Sequence, residues 1–142
     1  MADKQLMPPV PCLLAALICD KMFLEVGTEK HTIVGVFENL AAPEFPAMHP
    51  RMTFFFQLTN GHGKTPVSVK LVHVQESGDE ELYSQTMDLE FNDVRQTVSG
   101  GMTINGLRIP QEGEYRFQIY ARGELLGERR FICRKLGGQT DA

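Results

Sequence analysis

The chain has 142 residues, 42% hydrophobic and 23% charged, with a formal net charge of −4. That is the size of one ordinary domain, able to bury roughly 68–70% of its unfolded surface without a disulfide or metal staple. The composition excludes wholesale disorder, and the modest charge gives no reason to expect strong binding to nucleic acid or to an anionic membrane.

Pro8 to Cys19 (PPVPCLLAALIC) is apolar, but it is too short to span a membrane and prolines crowd its first half. Ile18 stands where a lipoprotein cleavage site needs a small residue directly before its cysteine. The stretch therefore reads as the first strand, entered through an extended arm at residues 1–10, and the protein is expected in the cytoplasm. Leu13 to Val26 has apolar residues on both parities, so this strand should be covered on both faces for part of its length. Asp20 and Lys21, one on each parity, predict a bulge or a move to the sheet edge. After a Gly27–Lys30 turn comes His31 to Leu40, rich in β-branched residues, with Gly35 marking a bulge or a close backbone approach. The two segments make a first hairpin.

Ala41 to Pro50 holds three prolines and reads as an extended crossover between sheets, not as a central strand. In the next strand Met52, Phe54, Phe56 and Leu58 point inward. Phe55 lies on the other face, either covered by a loop or available to a partner. A turn at Asn60–Gly63 leads to a strand at Pro66–Gln75, then an acidic turn, then a strand at Leu82–Phe91. Asn92 to Gly101 reads as irregular, with a short strand at Arg95–Val98 and a break at Gly100–Gly101 before Met102–Ile109. The clearest pattern is the last: Tyr115, Phe117, Ile119 and Ala121 alternate with Arg116, Gln118, Tyr120 and Arg122. Gly123–Glu124 turns this strand back into Leu125–Cys133, while Pro110 and Gly113 set a corner at which Tyr115 can bury its ring and send its hydroxyl to a loop backbone. Residues 137–142 lack anything to bury and form a disordered tail.

No window shows helical periodicity. The expected fold is all-β: a single antiparallel β-sandwich of seven or eight strands over residues 11–136, an immunoglobulin-like Greek key.

Chemical motifs are sparse. Gly63-Lys64-Thr65 ends like a phosphate-binding loop, but Leu58 stands where the first Gly belongs and a strand follows in place of a helix. His31, His49, His62 and His73 lack metal-ligand spacing, and no nucleophile elbow exists. The three cysteines, Cys12, Cys19 and Cys133, form no C-x-x-C pair and read as buried, reduced, structural thiols, with Cys12 and Cys133 able to face each other. Glu76, Asp79, Glu80 and Glu81 cluster in a turn that offers oxygen ligands for Ca²⁺. The outer face of the last hairpin carries Arg116, Tyr120, Arg122, Arg130 and Arg134, residue types that combine large contact area with directional hydrogen bonds. With Phe55 they form the candidate partner-binding set.

The segments ALICD (Ala16–Asp20), TIVGVF (Thr32–Phe37), APEF with His49-Pro50, and GEYRFQIYARGELLGERRF (Gly113–Phe131) follow in an order that resembles a family of short bacterial proteins of unknown function. The resemblance implies a β-sandwich of bacterial origin and brings no catalytic residues with it. The functional expectation is a non-enzymatic interaction or structural module, with no cofactor or metal, that binds another protein or itself and neither nucleic acid nor membrane. The alternative is a sandwich that binds a small ligand or Ca²⁺ through loops at one end.

Overall fold

The computed structural model describes residues 9–137. Of the expected N-terminal arm and C-terminal tail, only Pro9, Val10 and Gly137 fall among them; the rest lies outside the described residues. Nine strands follow in order: β1 (Cys12–Leu24), β2 (His31–Val36), β3 (Asn39–Ala42), β4 (Ala47–Thr59), β5 (Gly63–His73), β6 (Glu80–Phe91), β7 (Val98–Ile109), β8 (Gly113–Ala121) and β9 (Glu124–Lys135). They form a four-stranded sheet, β2-β1-β4-β7, and a five-stranded sheet, β3-β9-β8-β5-β6. The inward faces of the two sheets share one core, in which Phe54 stacks on Phe117 at 4.9 Å between ring centroids. The architecture is all-β and sandwich-like. Among the described residues no helix is long and apolar enough to cross a membrane.

The strand count exceeds the expectation because His31–Leu40 is two strands. The chain leaves the four-stranded sheet at Phe37, whose N–H donates to the Ile18 carbonyl, and joins the other sheet at Glu38, whose carbonyl accepts from Ile132 N–H at 3.0 Å. β3 then runs parallel to β9, so the second sheet is mixed and not purely antiparallel. The crossover shrinks to four residues because β4 starts at Ala47. Pro50 is tolerated inside β4 because β1 pairs only from Thr53 onward, which leaves this stretch a sheet edge where a missing N–H costs nothing.

Gly100 and Gly101 lie within β7 and do not break it. A Cβ on Gly100 would meet the Phe56 ring at 2.8 Å, and one on Gly101 would meet Met22 Cε at 2.6 Å, so both glycines make room for neighbours. Met22 comes from the far half of the β1–β2 hairpin. Past Cys19, β1 loses β4 and pairs with β2 alone, the edge behaviour that Asp20 and Lys21 predict; the bulge itself lies between Leu13 and Ala15. The freed half folds over the outward side of its own sheet, setting Met22 on Gly101 and His31 against Phe55 at 5.4 Å. Cys19, Thr53 and Phe55 point outward yet are buried for this reason.

At the foot of β8, Tyr115 is fully buried and its hydroxyl donates to the Gln111 carbonyl, while Gln111 N–H donates back at 3.3 Å. Its ring stacks on His73 at 4.4 Å and on Phe131 at 5.4 Å. Burial pushes the Tyr115 phenol up to about 12, against the lowering effect of the Gln111 backbone bond.

Candidate functional site

With Tyr115, Phe117, Ile119 and Ala121 buried, the alternate residues of β8 form the outer face of the five-stranded sheet. The register of β9 sets Arg130 directly opposite Arg116, and Glu128 opposite Gln118. Glu114 accepts from Arg116 Nε at 2.6 Å and Glu128 accepts from its Nη1 at 3.0 Å, so the Arg116 guanidinium is held above its ordinary pKa, chiefly by Glu114. The second oxygen of Glu128 accepts from Gln118 at 3.1 Å, and Gln118 in turn accepts from the Tyr120 hydroxyl at 3.1 Å. Lys70 sits 5.0 Å over the Tyr120 ring. Most of this face is thus a closed polar ladder.

Beyond the ladder the face opens. Because β3 pairs β9 only from Ile132 to Lys135, the stretch of β9 before Ile132 has no hydrogen-bonded strand on that side among the described residues; β1 approaches β9 at Gly127, against which Leu13 packs. A groove of about 580 Å³ lies there, lined by Glu38, Asn39, Arg116, Glu128, Arg130 and Ile132, with Arg129 also reaching it. Arg129 and Arg130 are exposed and have no hydrogen bond or ion pair among the described residues, in contrast to Arg116.

Of the six sequence candidates, the structure brings Arg116 and Arg130 together in the groove. Tyr120 lies on the same face with its ring and hydroxyl engaged, and Arg134 is exposed further along β9. Arg122 belongs to the β8–β9 turn, one residue earlier than expected, with φ 51° beside Gly123 at φ 84°. Its Nη2 donates to the Lys64 carbonyl at 3.1 Å and its buried Nε has no partner, so it is an anchored turn residue and not part of the row. Phe55 is 6% exposed under the folded hairpin, which removes the exposure on which its candidacy rests. The sequence reading missed Glu38, Asn39, Arg129 and Ile132. Their signal was present in the Glu128-Arg129-Arg130 run, but it needs the sheet switch at Phe37–Glu38 to show that β9 has an open flank.

The other candidates disperse. Among the described residues no three His, Cys, Asp or Glu gather as a metal site. The acidic turn does not converge: Glu81 pairs with Lys70 at 3.9 Å, and Glu80 accepts from Gln75 at 3.5 Å. All three cysteines are free, in different places. Cys19 and Cys133 are buried, while Cys12, at the start of β1, is exposed against expectation. Burial raises both inner thiols, Cys133 to about 12. A pocket of about 150 Å³ lies beside Cys133, between Phe45, Met48 and Ile109, with His49 also lining it.

No curated protein matches the chain. Among solved structures it is similar to Pseudomonas fluorescens alkylpurine DNA glycosylase AlkC bound to DNA containing an abasic site analog, at a TM-score of 0.45 and 14% identity. That match covers 84% of this chain and 30% of the glycosylase chain, so the chain spans under a third of its length. The expectation that set nucleic acid aside as a partner is corrected here, since a structure similar to this chain is itself bound to DNA. A likeness of this size carries no argument about what the chain binds. A family model matches residues 14–134, and the chain belongs to that family of unknown function, DUF6941.

Proposed function

We propose that this protein is a non-enzymatic interaction module of the bacterial cytoplasm, built as an immunoglobulin-like Greek key, whose contact surface is the groove beside β9. The Greek-key reading is supported by the placement of β4 and β7 on one sheet and β9-β8-β5-β6 on the other, by β3 running parallel to the last strand, and by the tyrosine corner at Tyr115. Free thiols with one exposed member suit a reducing compartment.

One observation carries the interaction reading. Arg116 and Arg130 stand directly opposite each other on an exposed face, an arrangement of like charges that destabilises a sheet. Glu114 and Glu128 compensate Arg116, but Arg130 and its neighbour Arg129 are left uncompensated beside an open groove. A local rule broken without compensation marks a surface kept for contact.

The test is co-purification from nuclease-treated native lysate with the Arg129→Glu/Arg130→Glu double variant, using Arg108→Glu as a distant control. A protein retained by wild type and by Arg108→Glu but lost from the double variant supports the reading. The same set recovered by all three removes the groove from the account.

A further inference from the structure

On the footing of that reading, we infer that the groove is a strand-addition site: an extended polypeptide segment with acidic side chains at alternate positions pairs with the open flank of β9 at Glu128–Phe131, end to end with β3.

The backbone geometry comes first. Ile132 and Leu136 both donate their N–H groups towards β3, to Glu38 at 3.0 Å and Ala42 at 2.8 Å. Successive residues of a strand point their amides to opposite edges, so Arg130 and Glu128 aim theirs the same way as Ile132. β3 has already departed there, because Phe37 is bound to Ile18 of the other sheet. The N–H and C=O groups of Glu128 and Arg130 therefore face the groove along a stretch of about 13 Å, the run of four strand residues. Only an extended polypeptide presents the alternating donors and acceptors that such a flank pairs with.

Side chains then select the occupant. The groove is lined by three arginines against Glu38 and Glu128, and the Glu128 carboxylate is already taken up by Arg116 and Gln118. On a chain of net charge −4 this is a locally cationic flank. Alternate side chains of an incoming strand fall on the outward face, where Arg130 waits unpaired across from Arg116, so carboxylates are favoured at those positions. Antiparallel pairing of two β9 flanks about Arg129 would set Arg129 against Arg129, and the Glu128 carboxylate it brings opposite Arg130 is already engaged by Arg116 and Gln118, which disfavours a second copy.

The experiment is a selection of displayed random dodecapeptides on the whole chain, followed by binding curves of the recovered peptides on wild type, Arg130→Ala and Arg130→Pro. Arg130→Ala removes the charge; Arg130→Pro also removes the N–H aimed at the open flank while sparing the bonds to β8. Recovered peptides should carry Asp or Glu at alternate positions, bind Arg130→Ala about tenfold more weakly, and bind Arg130→Pro at least a further tenfold more weakly. N-methylation of alternate peptide amides gives the same reading should the proline variant fail to fold. Equal binding to Arg130→Ala and Arg130→Pro, together with indifference to N-methylation, overturns strand addition while leaving the groove as an interface. Equal binding to all three proteins removes the groove as well. Recovery of no peptide, or competition by an oligothymidylate 20-mer whose own binding Arg130→Ala weakens and Arg130→Pro weakens no further, overturns the inference in favour of another occupant.

Discussion

Replacing Tyr115 by Phe removes one oxygen from the centre of the fold and leaves everything else in place. The ring keeps its stacking on His73 and Phe131, so the change isolates the corner hydrogen bonds. Two are lost, the donation to the Gln111 carbonyl and the one received from Gln111 N–H. At about 1 kcal/mol net for each, the loss is about 2 kcal/mol, and it rises if the Gln111 groups find no water. For a chain of this size, with a urea slope of about 2 kcal/mol/M, the unfolding midpoint should fall by about 1 M with the slope unchanged. The melting temperature should fall by roughly 4–8 °C. Urea titration followed by circular dichroism measures the midpoint. A midpoint within about 0.2 M of wild type would show that the corner holds no net free energy and that Tyr115 matters through its ring alone.

Gly61→Ala places a methyl 2.3 Å from carbons of the Phe91 ring, which is buried, so it should cost about 1–3 kcal/mol by overpacking; a urea midpoint unchanged from wild type would disprove the close approach. Tyr115 and Cys133 are both raised to about 12 in the fold, so each is neutral in the native state at pH values where the unfolded chain already ionises it. Their contribution is complete below the unfolded values near 9–10 and lost as pH climbs to 12; the urea midpoint should be flat from pH 7 to about 9 and fall above it. Cys12 is exposed while Cys19 and Cys133 are buried with raised thiol pKa values, so a thiol reagent at neutral pH should titrate one of the three cysteines natively and all three in denaturant. Two or more reacting natively would refute the burial.

Much of the fold is legible in the sequence because period-two alternation survives wherever one face is solvated. β8 shows this best, and the corner at Tyr115 follows from Pro110, Gly113 and the first buried ring of that strand. The pattern weakens where both faces are covered. Met52 to Phe56 is buried without interruption, so Phe55 cannot be told from its neighbours by parity. Its cover, the outer half of the β1–β2 hairpin, lies far away in sequence. The sheet switch at Phe37–Glu38 is silent for a different reason: Gly35, two residues before it, signals only a local irregularity, and the change of partner from Ile18 to Ile132 is a tertiary event. The candidate site inherits that blindness. Arg116 and Arg130 can be placed on one face by counting, but the opening beside them exists only because β3 is short.

The folded-back hairpin also bears on how this chain behaves when it partly unfolds. MTFFFQL, residues 52–58, carries no charge and no proline, and it has the β-forming composition of segments that stack between molecules. In the native state one side of it faces the core and the other lies under Met22 and His31. A local opening that lifts only the hairpin would bare Thr53 and Phe55 of β4 and the neighbouring Cys19 of β1 while the rest of the sandwich stays intact. The hairpin thus covers a face whose exposure would favour sheet-to-sheet association between molecules.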